Sequence, residues 1–369
     1  MSRLSWGNGP TQYFFGLTPD KVMNALEQFP VEGKKRYCTG YVQQLASFEN
    51  RVYEVEFEDE PKNVRRVAKF YRPGRWTREQ IQEEHDFMLD IRDAEIPVVT
   101  PVFFENERDT LRETAENIFY CIYPKVGGRQ PEDLNPEQLM QLGRLIARMH
   151  VIGSQKKAVH RVTLNPDNYG RASLNFLIGE HIVSEDVEPR FRTVVEALIV
   201  LADEWFVGQP LQRIHGDCHA GNILWNEKSG PFFIDFDDMV NGPPIQDLWL
   251  LAPDPAQLKS LISGYRMMRD LPKDSVRGVE ILRALRMIHY ATWIAKRYDD
   301  PAFKQAFPQF ESPKYWNDLT SDLEIQLQRI LREKNGYVEL DEEQAEERFG
   351  FPGDGSDEDE GMGNRGGNR

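Results

Sequence analysis

The stretch His215-Gly216-Asp217-Cys218-His219-Ala220-Gly221-Asn222 sets a carboxylate and an amide five positions apart on a glycine-containing loop. A second carboxylate, Asp235, closes the apolar run Phe232-Phe233-Ile234 and is followed by Phe236-Asp237-Asp238. Phosphoryl transfer needs such a set: one carboxylate accepts a hydroxyl proton, while an amide and a second carboxylate hold Mg²⁺ on nucleotide phosphates. In that reading Asp217 is the proton acceptor, and Asn222 and Asp235 are the metal ligands. Ile223-Leu224-Trp225 and Phe232-Phe233-Ile234, separated by Asn226 to Gly230, read as a hairpin that joins the two sites. A plainer reading stays open, because Asp in a glycine-rich turn often only bonds its own backbone. His215, Cys218 and His219 also carry metal-binding atoms, yet no second Cys or His cluster lies nearby to complete four ligands.

Elements that could position these groups can be read along the chain. Thr18-Pro19-Asp20 opens a helix to about Phe29, with Thr18 as cap and proline at the first helical position. Strand character follows over Tyr37 to Leu45, Arg51 to Phe57 and Val64 to Tyr71. The linker Ala46-Ser47-Phe48-Glu49-Asn50 stands where a phosphate-covering loop would lie. It lacks glycine, so Ser47 and Asn50 would supply the donors, unless the segment is an ordinary turn. Lys69 lies on the third of these strands. Thr77 to Gln80 forms a capping box, T-x-x-Q, for the next helix. Glu84 shares the apolar stripe of Ile81, Met88 and Ile91, whereas Glu83 points about 100° away and is expected to face solvent. An acid on an apolar face needs a partner, and Lys69 is the natural one.

Two further strands are expected near Val99 to Phe104 and Asn117 to Tyr123. Pro124-Lys125-Val126-Gly127-Gly128-Arg129 then reads either as a hinge or as a simple turn. From Asn135 the chain becomes helical, first in an amphipathic helix ending near His150, a residue suited to a helix C-terminus. Later helices are expected over Phe191 to Phe206, from Ile245, and near Pro255 to Arg266, Val276 to Lys296 and Tyr315 to Lys334. Asp247, near a helix start, could serve the helix dipole or reach back to the backbone of the 215–222 loop.

A length of 369 residues favours two lobes. No apolar run approaches the roughly 20 residues that span a bilayer, and the first residues show no apolar signal region. Three widely spaced cysteines, Cys38, Cys121 and Cys218, point to a reducing cytoplasm. The net charge is −15, and Tyr337 to Arg369 holds eleven acids against three bases, leaving −7 for the rest. That balance disfavours nucleic acid as a partner. The acidic, Gly-rich segment 337–369 is expected to be disordered.

Taken with these residues, the chain resembles the aminoglycoside-phosphotransferase/choline-kinase-like branch of the protein-kinase fold, and within it the bacterial stress response kinase A (RdoA-type) Ser/Thr protein kinases. The resemblance rests on Ser47 to Tyr53, Val67 to Pro73, Glu83-Glu84-His85, Val126 to Arg129, His215 to Trp225 and Asn241 to Trp249. The marker H-G-D-x-H-x-x-N is intact, and its Asp-to-Asn spacing equals that of H-R-D-L-x-x-x-N, with Gly216 in place of the arginine. The resemblance implies an α+β, two-lobed fold: a small antiparallel-sheet lobe with one helix (1–124), then a mainly helical lobe (125–336). It implies ATP as co-substrate and Mg²⁺, with Asp217 as proton acceptor, Asn222 and Asp235 as metal ligands, Lys69 and Glu84 as the phosphate-orienting pair, and Ser47 in the phosphate loop. It also implies transfer to Ser or Thr of proteins, itself included, in a stress response, with a monomer as the default state. A small-molecule kinase acting on an amino alcohol, sugar or antibiotic is the alternative. Asp235-Phe236-Asp237 stands where D-F-G would, and neither a Gly-rich loop nor an A-P-E segment is present, as is usual in this branch.

Overall fold

The computed structural model describes residues 14, 17–45, 47, 49–105, 108–272 and 274–334; the segment expected to be disordered lies outside them. Helix α1 (Pro19–Gln28) begins as its sequence requires, with the Thr18 side chain accepting from the Lys21 amide. Strands β1 (Cys38–Leu45), β2 (Arg51–Phe57) and β3 (Val64–Phe70) follow, then helix α2 (Arg78–Asp93), β4 (Arg112–Glu113) and β5 (Phe119–Pro124). The five strands form one antiparallel sheet in the order β1-β2-β3-β5-β4.

Strand alternation sorts β3 into two faces. Ala68 and Phe70 join the core beneath α1, together with Val22, Leu26, Val55 and Tyr120. Lys69 and Tyr71 face the other way, toward α2, whose Ile81, Phe87, Met88 and Ile91 belong to a second and larger core. The capping box at Thr77 and Gln80 is formed, and it fixes where α2 starts. In this way the sheet directs Lys69 toward Glu84.

The larger core continues into helices. These are α3 (Pro136–Gln155), α4 (Ala172–Gly179), α5 (Glu188–Phe206), α6 (Ile245–Leu251), α7 (Pro255–Arg266), α8 (Gly278–Ala295) and, after the short α9 (Pro301–Ala306), which adds no residue to that core, α10 (Pro313–Lys334). Between α5 and α6 lie β6 (Gln212–Ile214), paired with β9 (Val240–Gly242), and the hairpin of β7 (Ile223–Asn226) and β8 (Gly230–Phe233). The hairpin thus stands where its apolar runs placed it, one end at the 215–222 loop and the other at Asp235.

The structure departs from the sequence expectations at several points. Residues 99–104 make no strand ladder: Val99 donates to Phe233 and Val102 to Ile122, and Pro97 and Pro101 lack the amides a ladder would need. Helix α3 continues past His150 to Gln155, because His150 is buried and bonded inside rather than closing an exposed end. The short β6 and β9 pair, α4 and α9 carry too few residues for a clear periodic signal. Past Pro124, the chain is fastened to β7, with Arg129 and Trp225 exchanging backbone bonds of 3.0 and 2.7 Å.

Candidate active site

A cleft of about 920 Å³ lies between the sheet and the hairpin. Ser47, Lys69, Asp217, Asn222 and Asp235 all line it, and Glu84 stands buried directly behind Lys69. The six residues singled out by sequence therefore converge on one region.

Lys69 sits among three carboxylates. Its Nζ lies 3.0 Å from Asp235 Oδ1, 3.3 Å from Asp237 Oδ1 and 3.7 Å from Glu84 Oε1. Burial alone would lower its pKa, but Asp235, Asp237 and Glu84 outweigh that and hold the ammonium well above its ordinary value. The expected Lys69–Glu84 pair is present, yet Glu84 has a nearer partner. Arg161 Nη2 donates to Glu84 Oε2 at 2.7 Å, and both side chains are fully buried. The same guanidinium donates to the backbone carbonyls of Gln80 and Asp237, so one arginine ties α2 to the residues after Asp235. Burial pushes the Glu84 carboxyl upward against the pull of Lys69 and Arg161.

Glu83 corrects an expectation. Although it points away from the apolar stripe, it is half-buried, and its carboxylate accepts from the amides of Val159, His160 and Arg161 at 2.5 to 2.8 Å. The helical period predicted its direction correctly, but the segment after α3 covers that face.

The linker between β1 and β2 is more than a turn. Asn50 Nδ2 donates to Asp237 Oδ2 at 3.2 Å, and its Oδ1 accepts from the Arg72 amide at 3.1 Å. Glu49 reaches across to the helices, where its carboxylate accepts from Trp293 Nε1 at 2.8 Å and meets Arg297 Nε at 2.7 Å and Arg72 Nε at 3.2 Å. Burial would raise the Glu49 carboxyl, but Arg75, Arg297 and Arg72 together hold it below the usual range. Arg75 also pairs with Asp237 and Asp238.

Asp217 lines the same cleft. The loop that bears it is held by Asp247, whose Oδ2 and Oδ1 accept from the amides of His215 and Gly216, both at 2.8 Å. Of the two readings of Asp247, the backbone role is thus realised, and His150 Nε2 supports it at 3.0 Å. Gly216 adopts φ +84°, and a Cβ there would lie 2.1 Å from the carbonyl oxygen of Asp238. Asn222 Nδ2 donates to the Asp217 carbonyl at 2.9 Å, which commits the NH₂ end of the amide and leaves its oxygen as the end suited to a cation. Arg286 Nη2 lies 2.8 Å from Asp217 Oδ1, and His219 Nε2 is 3.5 Å from Oδ2. Burial raises the Asp217 carboxyl, but the His219 and Arg286 charges outweigh it and hold the group below the ordinary range.

These residues suit a hard divalent cation. Half of the Asp235 side chain is exposed, and Asn222 contributes a neutral oxygen on the same cleft wall. Among the described residues no three His, Cys, Asp or Glu side chains converge closely enough to hold a metal by themselves. Mg²⁺ typically takes only one or two protein oxygens and fills its shell with phosphate and water, so the donor set fits.

Sequence reasoning missed Arg161, Arg75, Arg286, Glu49 and Asp237. Asp237, two residues beyond Asp235, carried a local signal. The arginines lie 77, 162 and 69 residues from the carboxylates they meet, where no periodicity connects them.

Comparison with known proteins gives a consistent result. Residues 42–285 match the phosphotransferase enzyme family. The chain is 36% identical over 326 residues to stress response kinase A of Escherichia coli (strain K12), covering 87% of this chain and 95% of that one. It is 35% identical, with the same coverage, to the serine/threonine protein kinase RdoA of Salmonella typhimurium (strain LT2). Similar solved structures include amicoumacin kinase hAmiN in complex with AMP-PNP, Ca²⁺ and Ami (TM-score 0.64, 18% identity, 82% of this chain and 93% of that one). A microcompartment-associated aminopropanol kinase is also similar (TM-score 0.60, 17% identity, 86% and 98%). The chain belongs to the phosphotransferase enzyme family.

Proposed function

We propose that this phosphotransferase is an ATP- and Mg²⁺-dependent kinase that transfers the γ-phosphoryl group to Ser or Thr hydroxyls of proteins, itself included, in a stress response. The observation that carries the reading is Asp217 lining one cleft together with Lys69, which sits among three carboxylates. The names of relatives matched over 95% of their length, stress response kinase A and serine/threonine protein kinase RdoA, support the protein acceptor.

In this reading residues up to 124 form the nucleotide-binding lobe, and residues 125–336 form the helical catalytic lobe that closes the cleft from the other side. Apolar side chains of the cleft, Val52, Val67, Leu224 and Ile234 among them, give a flat purine ring two walls. Lys69, steadied by Glu84, meets the α- and β-phosphates, and Ser47 offers a hydroxyl to the outer phosphates. Asn222 and Asp235 would hold Mg²⁺, which when bound neutralises charge developing on the transferred group. Asp217 orients the acceptor hydroxyl and takes its proton late. A carboxylate held below its usual pKa suits orientation more than early proton abstraction, as a loose transition state allows. A cytoplasmic monomer is part of the same proposal; among the described residues no helix is long and apolar enough to cross a membrane.

A small-molecule kinase for cationic acceptors would call for unpaired acids beside Asp217. Asp238 is instead met by Arg75, and Asp217 by Arg286. The test uses γ-labelled ATP with Mg²⁺ and a generic protein acceptor. Asp217→Asn should keep nucleotide binding while labelling falls about 10²- to 10⁴-fold, and Asp235→Ala should weaken Mg²⁺-dependent ATP binding first. Unchanged metal-dependent binding in Asp235→Ala removes the metal assignment. Tight Mg·ATP binding without any protein label moves the acceptor to a small molecule.

A further inference from the structure

Next to Asp217, helix α8 presents Arg286, Tyr290 and Trp293 to the cleft. Spacings of four and three put them on one helical face. Tyr290 and Trp293 stack at 5.3 Å with their planes 16° apart, and Tyr290 is exposed. The shelf they make is fixed from behind, since Trp293 donates to Glu49 and packs against Phe303 at 4.9 Å. The Arg286 side chain is 38% exposed and spends one N–H on Asp217. A guanidinium carries five donors, so the rest can meet a ligand. The nearby carboxylates are already matched, Asp238 by Arg75 and Glu49 by Arg297 and Arg72.

We propose that Arg286 and the Tyr290–Trp293 shelf form an acceptor subsite that selects Ser or Thr hydroxyls flanked by an acidic side chain. The proposal rests on the protein-kinase reading and names its substrate class. An accepting hydroxyl must come within about 3 Å of an Asp217 oxygen, and Arg286 Nη2 is 2.8 Å from that carboxylate. Neighbouring residues lie about 3.8 Å apart at Cα, so a carboxylate one position from the acceptor reaches the guanidinium. The shelf supports the main chain and apolar carbons of the same segment. A lysine at the flanking position would bring like charges together.

The experiment measures kcat/KM for matched Ser peptides with Asp, Ala or Lys beside the serine, in the wild-type chain, Arg286→Ala and Arg286→Glu. Ratios taken within each enzyme cancel any general loss of turnover. The wild type should favour the Asp peptide over the Ala peptide about 2- to 5-fold, as expected for a partly exposed ion pair. Arg286→Ala should level the ratios, and Arg286→Glu should invert them toward Lys. Equal rates on all three peptides with the wild type overturn the subsite. So does an Arg286→Ala variant that keeps the ratio but raises KM for ATP, because Arg286 then serves the nucleotide. If no peptide is labelled by a wild type that still binds Mg·ATP, the protein-kinase reading itself falls and the subsite with it.

Discussion

Two arginine–carboxylate pairs flank the same cleft at nearly the same distance, 2.7 Å for Arg161–Glu84 and 2.8 Å for Arg286–Asp217. The first has no solvent exposure on either side chain; in the second the arginine is 38% and the aspartate 21% exposed. Burial gives these similar contacts different consequences. Arg161 cannot leave without taking its nearest cation from a carboxylate in the interior, so its pair is part of the scaffold that holds α2 and Lys69. Arg286 can exchange Asp217 for water or a ligand at small cost, so its pair belongs to the working surface. The Lys69 side of the cleft is thus buried and saturated with charge, and the Arg286 side retains spare hydrogen-bonding capacity.

Three measurements break or sharpen that contrast. The largest effect is expected from Arg161→Ala, which should cost about 3–5 kcal/mol in denaturant unfolding by taking the nearer of two cations from the buried Glu84 and leaving only the longer contact with Lys69; a loss below 1 kcal/mol would place this pair with the surface ones. Arg286→Ala should cost about 1 kcal/mol or less in the same assay, while changing peptide selectivity. The smallest effect concerns His219, whose pKa is raised first by its bond to Asp217 and then by that carboxylate's charge. A raised folded value means that the stabilising contribution is whole below the ordinary imidazole value of about 6.5 and fades as pH rises through the raised one. Thermal unfolding across pH 5.5 to 8.5 should therefore show the wild type losing its small advantage over His219→Asn toward the alkaline end. An advantage that grows with pH would reverse the assignment.

What sequence could show follows the same division. Lys69 and Glu84 were legible because strand alternation and a helical stripe each turn a charge inward, and a buried charge requires a partner. The hairpin bracketed Asp217 and Asp235 for a similar local reason. Arg161, Arg75 and Arg286 sit in segments whose local pattern says nothing about which distant acid they meet. Glu83 shows the converse limit, since periodicity gives the direction of a side chain but not what the rest of the fold lays over it. The role of Asp247 was open for want of a distance, and two backbone bonds settle it.

The backbone at Gly216 bears on control by phosphorylation. In H-R-D kinases an arginine precedes the catalytic aspartate, and kinase activation loops are ordered through arginine–phosphate pairs. Here a left-handed φ and the Asp238 carbonyl, 2.1 Å from where a Cβ would lie, bar any side chain from that position. The missing arginine cannot be restored by one codon change, because the peptide group of Asp238 occupies its root. A phosphate added to the segment after Asp235 finds no reader at residue 216. The 215–222 loop therefore has no arginine of its own to offer such a phosphate.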